Sequence, residues 1–80
     1  MTNEEIYAKL NEIFQDVFMD DSIEVTPETS ANDIEDWDSL MHITLVAEVE
    51  SAFGVKFGAK QAAQMKNVGE MVEIIKGLMG

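Results

Sequence analysis

Apolar residues in this chain recur at intervals of three and four, and that spacing confines it to helices. Ile6, Leu10, Ile13, Phe14, Val17 and Phe18 fall on one stripe, with Glu4, Lys9, Asn11, Glu12 and Gln15 on the watery side. Thr2 stands three residues before Glu5, the spacing of a capping box, so the pattern predicts a first helix over residues 3–18. A second helix is expected from about Ser39 to Phe53, because Asp38 and Ser39 are both capping types and Gly54 offers a stop. His42, Leu45, Val46, Val49 and Phe53 form its core side, with Ile43 at the margin. Leu40, Met41, Thr44, Ala47, Glu48 and Ser51 gather on the opposite side. Asn67 three residues before Glu70 predicts a last helix over about 68–79, carrying Val68, Met71, Val72, Ile75, Leu78 and Met79.

Between these helices the periodicity fails. Met19 to Asp38 is rich in turn formers, among them Asp20-Asp21-Ser22 and Thr26-Pro27-Glu28-Thr29-Ser30, so it reads as a long loop anchored by Ile23, Val25, Ile34 and Trp37. Val55 to Lys66 holds a short helical stretch behind Gly58. The expected fold is all-α: a small antiparallel four-helix bundle of three longer helices and a short third one, forming a single domain over residues 1–80.

Composition narrows the function. The five basic and sixteen acidic residues give a net charge of −11, which repels nucleic acid and attracts partners with basic patches. No apolar run approaches the roughly 18 residues of a membrane span. The acidic start Met1-Thr2-Asn3-Glu4-Glu5 is unlike a secretory signal, so a cytoplasmic protein is expected, and the high charge of so small a chain favours a monomer. There is no cysteine, so any thiol chemistry must come on a cofactor. The acids from Asp33 onward do not form a calcium loop, since Trp37, Asp38 and Thr44 occupy positions that such a loop gives to a ligand, a glycine and a bidentate glutamate. No metal site is expected.

Ser39 is the candidate for chemistry. It lies where a helix start follows an acidic loop, and a phosphate ester there would meet free backbone N–H groups and the positive end of the helix dipole. The competing reading is that Ser39 or Asp38 merely caps the helix. His42, the single histidine, lies one turn further on and invites comparison with a serine hydrolase. The chain has no Gly-x-Ser-x-Gly elbow to support that comparison, so His42 is expected at the mouth of the core, touching an attached arm or its cargo.

Asp38-Ser39-Leu40, the acidic run Asp33-Ile34-Glu35-Asp36-Trp37 before it, Glu48 to Val55 and Asn67-Val68-Gly69-Glu70 together resemble the acyl carrier proteins of the phosphopantetheine-binding family. The resemblance covers nearly the whole chain, in order. It implies a non-catalytic carrier with 4′-phosphopantetheine on Ser39, attached from coenzyme A by a magnesium-dependent phosphopantetheinyl transferase, and acyl groups held as thioesters on the arm. It also implies a recognition face of Asp38, Leu40, Met41, Ala47, Glu48 and Glu50, with Asp33, Glu35 and Asp36, for acyl-transferring or synthase enzymes. Thr44 and Ser51 stand where the fatty-acid subgroup tends to carry acids, and Gly58-Ala59-Lys60 departs from a more acidic or proline-containing pattern. A specialised carrier, for surface-polymer or secondary-metabolite synthesis, is therefore as open as one for fatty acids. Two other readings stay open: an aminoacyl, aryl or peptidyl carrier, and an unmodified acidic adaptor.

Overall fold

Local capping decides where each helix of the computed structural model, which describes residues 2–79, begins. Helix α1 (Asn3–Phe18) starts at a closed capping box: the Glu5 amide donates to Thr2 Oγ1 at 3.2 Å and the Thr2 amide to Glu5 Oε1 at 2.9 Å. The Thr2 amide, donating to the ionised carboxylate, and then the Thr2 hydroxyl hold the Glu5 carboxyl below its ordinary value. Helix α2 (Ser39–Phe53) is capped by Asp38 and ends at Gly54, which adopts the left-handed conformation at φ 67°. A short α3 (Ala59–Gln64) follows, and then α4 (Val68–Met79), capped by the Glu70 amide donating to Asn67 Oδ1 at 2.8 Å. All four helices lie where the periodicity and caps put them.

Helix α1 packs against both α2 and α4. Ile6, Leu10 and Phe14 of α1, Leu45 and Val49 of α2, and Val68, Met71 and Ile75 of α4 are fully buried, each side chain contributing about 1.5–3 kcal/mol by leaving water. Trp37 joins them from the loop. Its indole meets Phe14 edge-on with ring centres 5.3 Å apart and Phe18 at 6.3 Å.

The long loop is held by polar groups that periodicity assigned to water. Asn11 Oδ1 accepts from the Val25 amide at 2.9 Å and Gln15 Nε2 donates to the Ile23 carbonyl at 3.0 Å, so both side chains are half-buried. Lys9, also placed on the watery side, lies 5.2 Å from the centre of the Phe53 ring. A helical wheel weighs only apolar burial, and it misses polar side chains that satisfy loop backbone. Further along, the Val68 and Gly69 amides, free at the start of α4, donate to the Thr29 and Pro27 carbonyls at 2.8 and 3.0 Å. Ser30 and Asn67 form an isolated antiparallel bridge, and no longer strand occurs among the described residues. Trp37, the buried end of the loop, thus sets down the chain at Asp38 and the start of α2.

Candidate functional site

Asp38, not Ser39, caps α2. Its Oδ1 accepts from the Met41 amide at 2.9 Å, and its backbone carbonyl accepts from His42 at 2.8 Å. Ser39 is therefore the first helical residue, exposed, and its hydroxyl has no hydrogen-bond partner among the described residues. The Ser39 and Leu40 amides likewise find no acceptor among those residues. An exposed hydroxyl beside free amides at the positive end of a helix fits a phosphodiester.

Beside Ser39 opens a cleft of about 680 Å³ between α2 and α3, lined by Trp37, His42, Ile43, Ala62, Ala63 and Met65 along with Asp38, Ala31 and Lys66. Two buried residues, Trp37 and Met65, form its floor. The cleft is apolar enough to shelter part of an attached arm, and Lys66 is the cation on its rim.

His42 lies half-buried in this cleft, on the core side of α2 as its spacing predicts. Both of its ring nitrogens are engaged. Trp37 Nε1 donates to Nδ1 at 3.0 Å, and Nε2 lies 2.9 Å from the Ala62 carbonyl. A carbonyl only accepts and an indole N–H only donates, so the ring is the neutral tautomer with its proton on Nε2. Along this bond the indole and imidazole planes are inclined by only 20°, with ring centres 6.0 Å apart. No nitrogen is left to take a proton from Ser39, which removes the basis for a serine–histidine pair.

The residues expected to face partners divide into groups. Leu40, 72% exposed, Ala47 and Glu48 share the outer face of α2 with Thr44 and Ser51. Met41 does not: it is half-buried against the core, one turn before the fully buried Leu45 on the same stripe of the helix. Ile43, expected at the core margin, is 68% exposed and belongs to the outer face instead. Its position four residues after Ser39 was the available signal, since that offset puts both on one side of the helix. Glu50 is half-buried, with Oε2 accepting from the Phe57 amide at 2.7 Å, so it holds the connection to α3. Asp33 accepts from the Ser30 amide at 3.0 Å, while Glu35 and Asp36 are exposed near the start of α2. Sequence reasoning missed Ala62 and Lys66 in the cleft, as both lie in the weakly patterned segment around α3. Among the described residues no group of three or more histidines and acids is arranged to hold a metal ion. No helix among them is long and apolar enough to cross a membrane.

Residues 8–75 match the family model described as a phosphopantetheine attachment site. The meromycolate extension acyl carrier protein of Mycolicibacterium smegmatis is 39% identical over 77 residues, which cover 96% of this chain and 78% of that protein. An acyl carrier protein of Myxococcus xanthus is 38% identical over 76 residues, covering 95% of this chain and 96% of the relative. The solution structure of a holo acyl carrier protein from Geobacter metallireducens superposes with a TM-score of 0.85 at 41% identity, covering 91% of this chain and 84% of that one. Such carriers work with phosphopantetheinyl transferases and with synthase or transferase enzymes. With the family model spanning nearly all of the bundle and the relatives matching almost end to end, the chain belongs to the acyl carrier proteins, which bear a covalent 4′-phosphopantetheine and shuttle acyl groups in biosynthesis.

Proposed function

We propose that Ser39 is the point of attachment. The observation that carries this is the division of labour at the start of α2: Asp38 satisfies the cap, leaving the Ser39 hydroxyl exposed and unbonded among the described residues. On a transferase, the hydroxyl oxygen forms the new P–O bond, the pyrophosphate bond of coenzyme A breaks, and the nucleoside bisphosphate leaves. The serine proton passes to a base of the transferase, since His42 has no free nitrogen to receive it. The attached group supplies a thiol that a chain without cysteine lacks. This chain's own residues present the hydroxyl and shelter part of the arm, and they turn nothing over.

The docking surface in this reading has two parts. Asp33, Glu35, Asp36 and Asp38 make the end nearest Ser39 acidic, and Leu40, Ile43 and Ala47 give an exposed apolar stripe with Glu48 beside it. An enzyme with basic residues placed for the loop and an apolar surface for the stripe fits this arrangement. Thr44 and Ser51, exposed on that same face, remove charge from its middle and far end, which favours partners of a specialised pathway. The meromycolate extension relative shows that such dedicated carriers exist at this level of similarity. Coenzyme A as donor implies a cytoplasmic carrier, and the charge of −11 favours a monomer.

Intact-mass measurement after incubation with coenzyme A, magnesium and a broad-specificity transferase tests the attachment. One phosphopantetheine is expected per chain, with none on Ser39→Ala. An unmodified adaptor would show no gain and would bind its partner equally well with that substitution.

A further inference from the structure

We infer that Lys66 is the counter-ion of the arm's phosphodiester and holds the root of the arm on the α3 side of Ser39. The inference rests on Ser39 as the attachment point. Three of the five basic residues, Lys56, Lys60 and Lys66, fall between Ser51 and Gly69, a stretch with no acid in a chain of net charge −11. Of these, only Lys66 lines the cleft that also takes in Ser39. The base of its side chain is fixed. Met65 before it is buried, its own amide donates to Glu70 Oε2 at 3.0 Å, and Asn67 after it bridges to Ser30. Its ammonium end is exposed and takes no carboxylate or carbonyl among the described residues. A cation with an anchored root and an unpaired tip therefore stands on the rim of the cleft at whose edge the phosphate ester would form.

A phosphodiester keeps one negative charge at neutral pH, and on Ser39 it would join a helix start that already holds Asp38, with Glu35 and Asp36 nearby. Those acids repel it from the loop side. The free Ser39 and Leu40 amides offset part of the repulsion, and a cation across the cleft offsets more. Lys66 gives up no existing partner in pairing, and at the exposed rim neither ion has to be stripped of water. Beyond its phosphate the arm carries two geminal methyl groups, and Ile43 and Ala63 are exposed apolar side chains of the same cleft that these methyls can cover. Lys60 cannot take this part, since it lies in the first turn of α3 and outside the cleft lining. Lys66 is thus a positioning residue, which draws the arm toward α3 and leaves the loop acids to basic partners.

The experiment prepares apo and holo forms of the wild type, Lys66→Gln, Lys66→Arg and Lys60→Gln with coenzyme A and a broad-specificity transferase, and confirms each by intact mass. It reads the change in melting temperature from apo to holo. At low salt that change should be more favourable in the wild type than in Lys66→Gln by about 2 °C, the size an exposed ion pair allows. Lys66→Arg should match the wild type, and the gap should close at about 1 M salt. Lys60→Gln, which loses the same charge from the same stretch, should also match the wild type. Equal changes in the wild type and Lys66→Gln overturn the inference, as do a failed rescue by arginine and a gap that survives high salt. An equal effect of Lys60→Gln overturns it too, because the charge would then act only through the general field. Should a variant not melt cooperatively, acetylation of the wild type by an N-hydroxysuccinimide ester decides, mapped by peptide mass with the arm's thiol capped. Lys66 should react about twofold to fivefold more slowly in the holo form than in the apo form, with Lys60 unchanged, and equal rates at Lys66 overturn the pairing. A mass that does not rise in the first step refutes attachment itself, and the role of Lys66 with it, before any melt is run.

Discussion

The Gly69 amide donates to the Pro27 carbonyl at 3.0 Å, and a Cβ on Gly69 would lie 2.9 Å from that same oxygen. Helix α4 and the long loop approach so closely that only glycine fits there. Alanine is the better helix former by about 1 kcal/mol, so propensity alone favours Gly69→Ala. The clash falls on backbone and not on a movable side chain. Gly69→Ala should therefore destabilise the fold, by about 1–2 kcal/mol. Gly77, in the last turns of the same helix, has nothing within 4 Å of its ideal Cβ, and Gly77→Ala should stabilise by about 0.5 kcal/mol. Urea unfolding of both variants checks the pair, and a stabilised Gly69→Ala would show that the loop does not dock this tightly.

Met19 closes α1 in the left-handed conformation at φ 53°, with its side chain 90% exposed. A side chain with a Cβ is strained there by roughly 1 kcal/mol, and this one gains little burial in return. Met19→Gly should raise stability by about 0.5 kcal/mol while leaving loading of the carrier unchanged. Thermal melts and the intact-mass assay measure the two halves. A lower melting temperature would mean that Met19 contributes packing its exposure does not suggest.

Much of this architecture is legible from periodicity and caps. Thr2 with Glu5, Asp38 before Ser39, and Asn67 with Glu70 each carry their signal within a few residues, which is why the helix starts could be read. Ser39 and the loop acids were legible through the same local grammar together with the family resemblance. The outer face of α2 was less so. Met41 and Ile43 exchange their expected places: Met41 precedes the buried Leu45 and Val49 by four and eight residues and joins their stripe, whereas Ile43 follows the exposed Ser39 by four and shares its side. The cleft needed the fold entirely. Ala62 offers His42 a backbone carbonyl, a group every residue has, and only the packing of α3 beside α2 gives that one a role.

Tyr7 is the single tyrosine, and partial burial together with the charges of Glu28 on the loop and Glu73 on α4 holds its phenol above the ordinary value. All of these causes disfavour the phenolate. The folded state therefore retains the proton after the unfolded chain would have lost it, and stability falls as pH rises from about 10 through the raised folded value. Absorbance of tyrosinate should show a midpoint above that of the urea-unfolded chain. Glu73→Gln should move it part of the way down. A folded midpoint equal to the unfolded one would separate Tyr7 from both acids.

Asp38 has two roles that substitution can pull apart. Its carboxylate caps α2 through the Met41 amide, and it is the acid beside Ser39. Asp38→Asn keeps an oxygen in the capping position and removes the charge, whereas Asp38→Ala removes both. Asn caps about as well as Asp, so Asp38→Asn should change stability by less than about 0.5 kcal/mol, while Asp38→Ala should lose about 1 kcal/mol. Recognition should follow charge instead: both variants should be modified more slowly by a basic transferase, to similar extents, and raising the salt should narrow their difference from wild type. Ser39→Ala, whose hydroxyl takes no part in the cap, should stay within about 0.5 kcal/mol of wild type while losing modification altogether. Initial rates from intact mass at two ionic strengths, set beside urea unfolding, separate the two roles. If Asp38→Asn were modified as fast as wild type, the acid would be a cap alone and the acidic end of the docking surface would begin at Asp36.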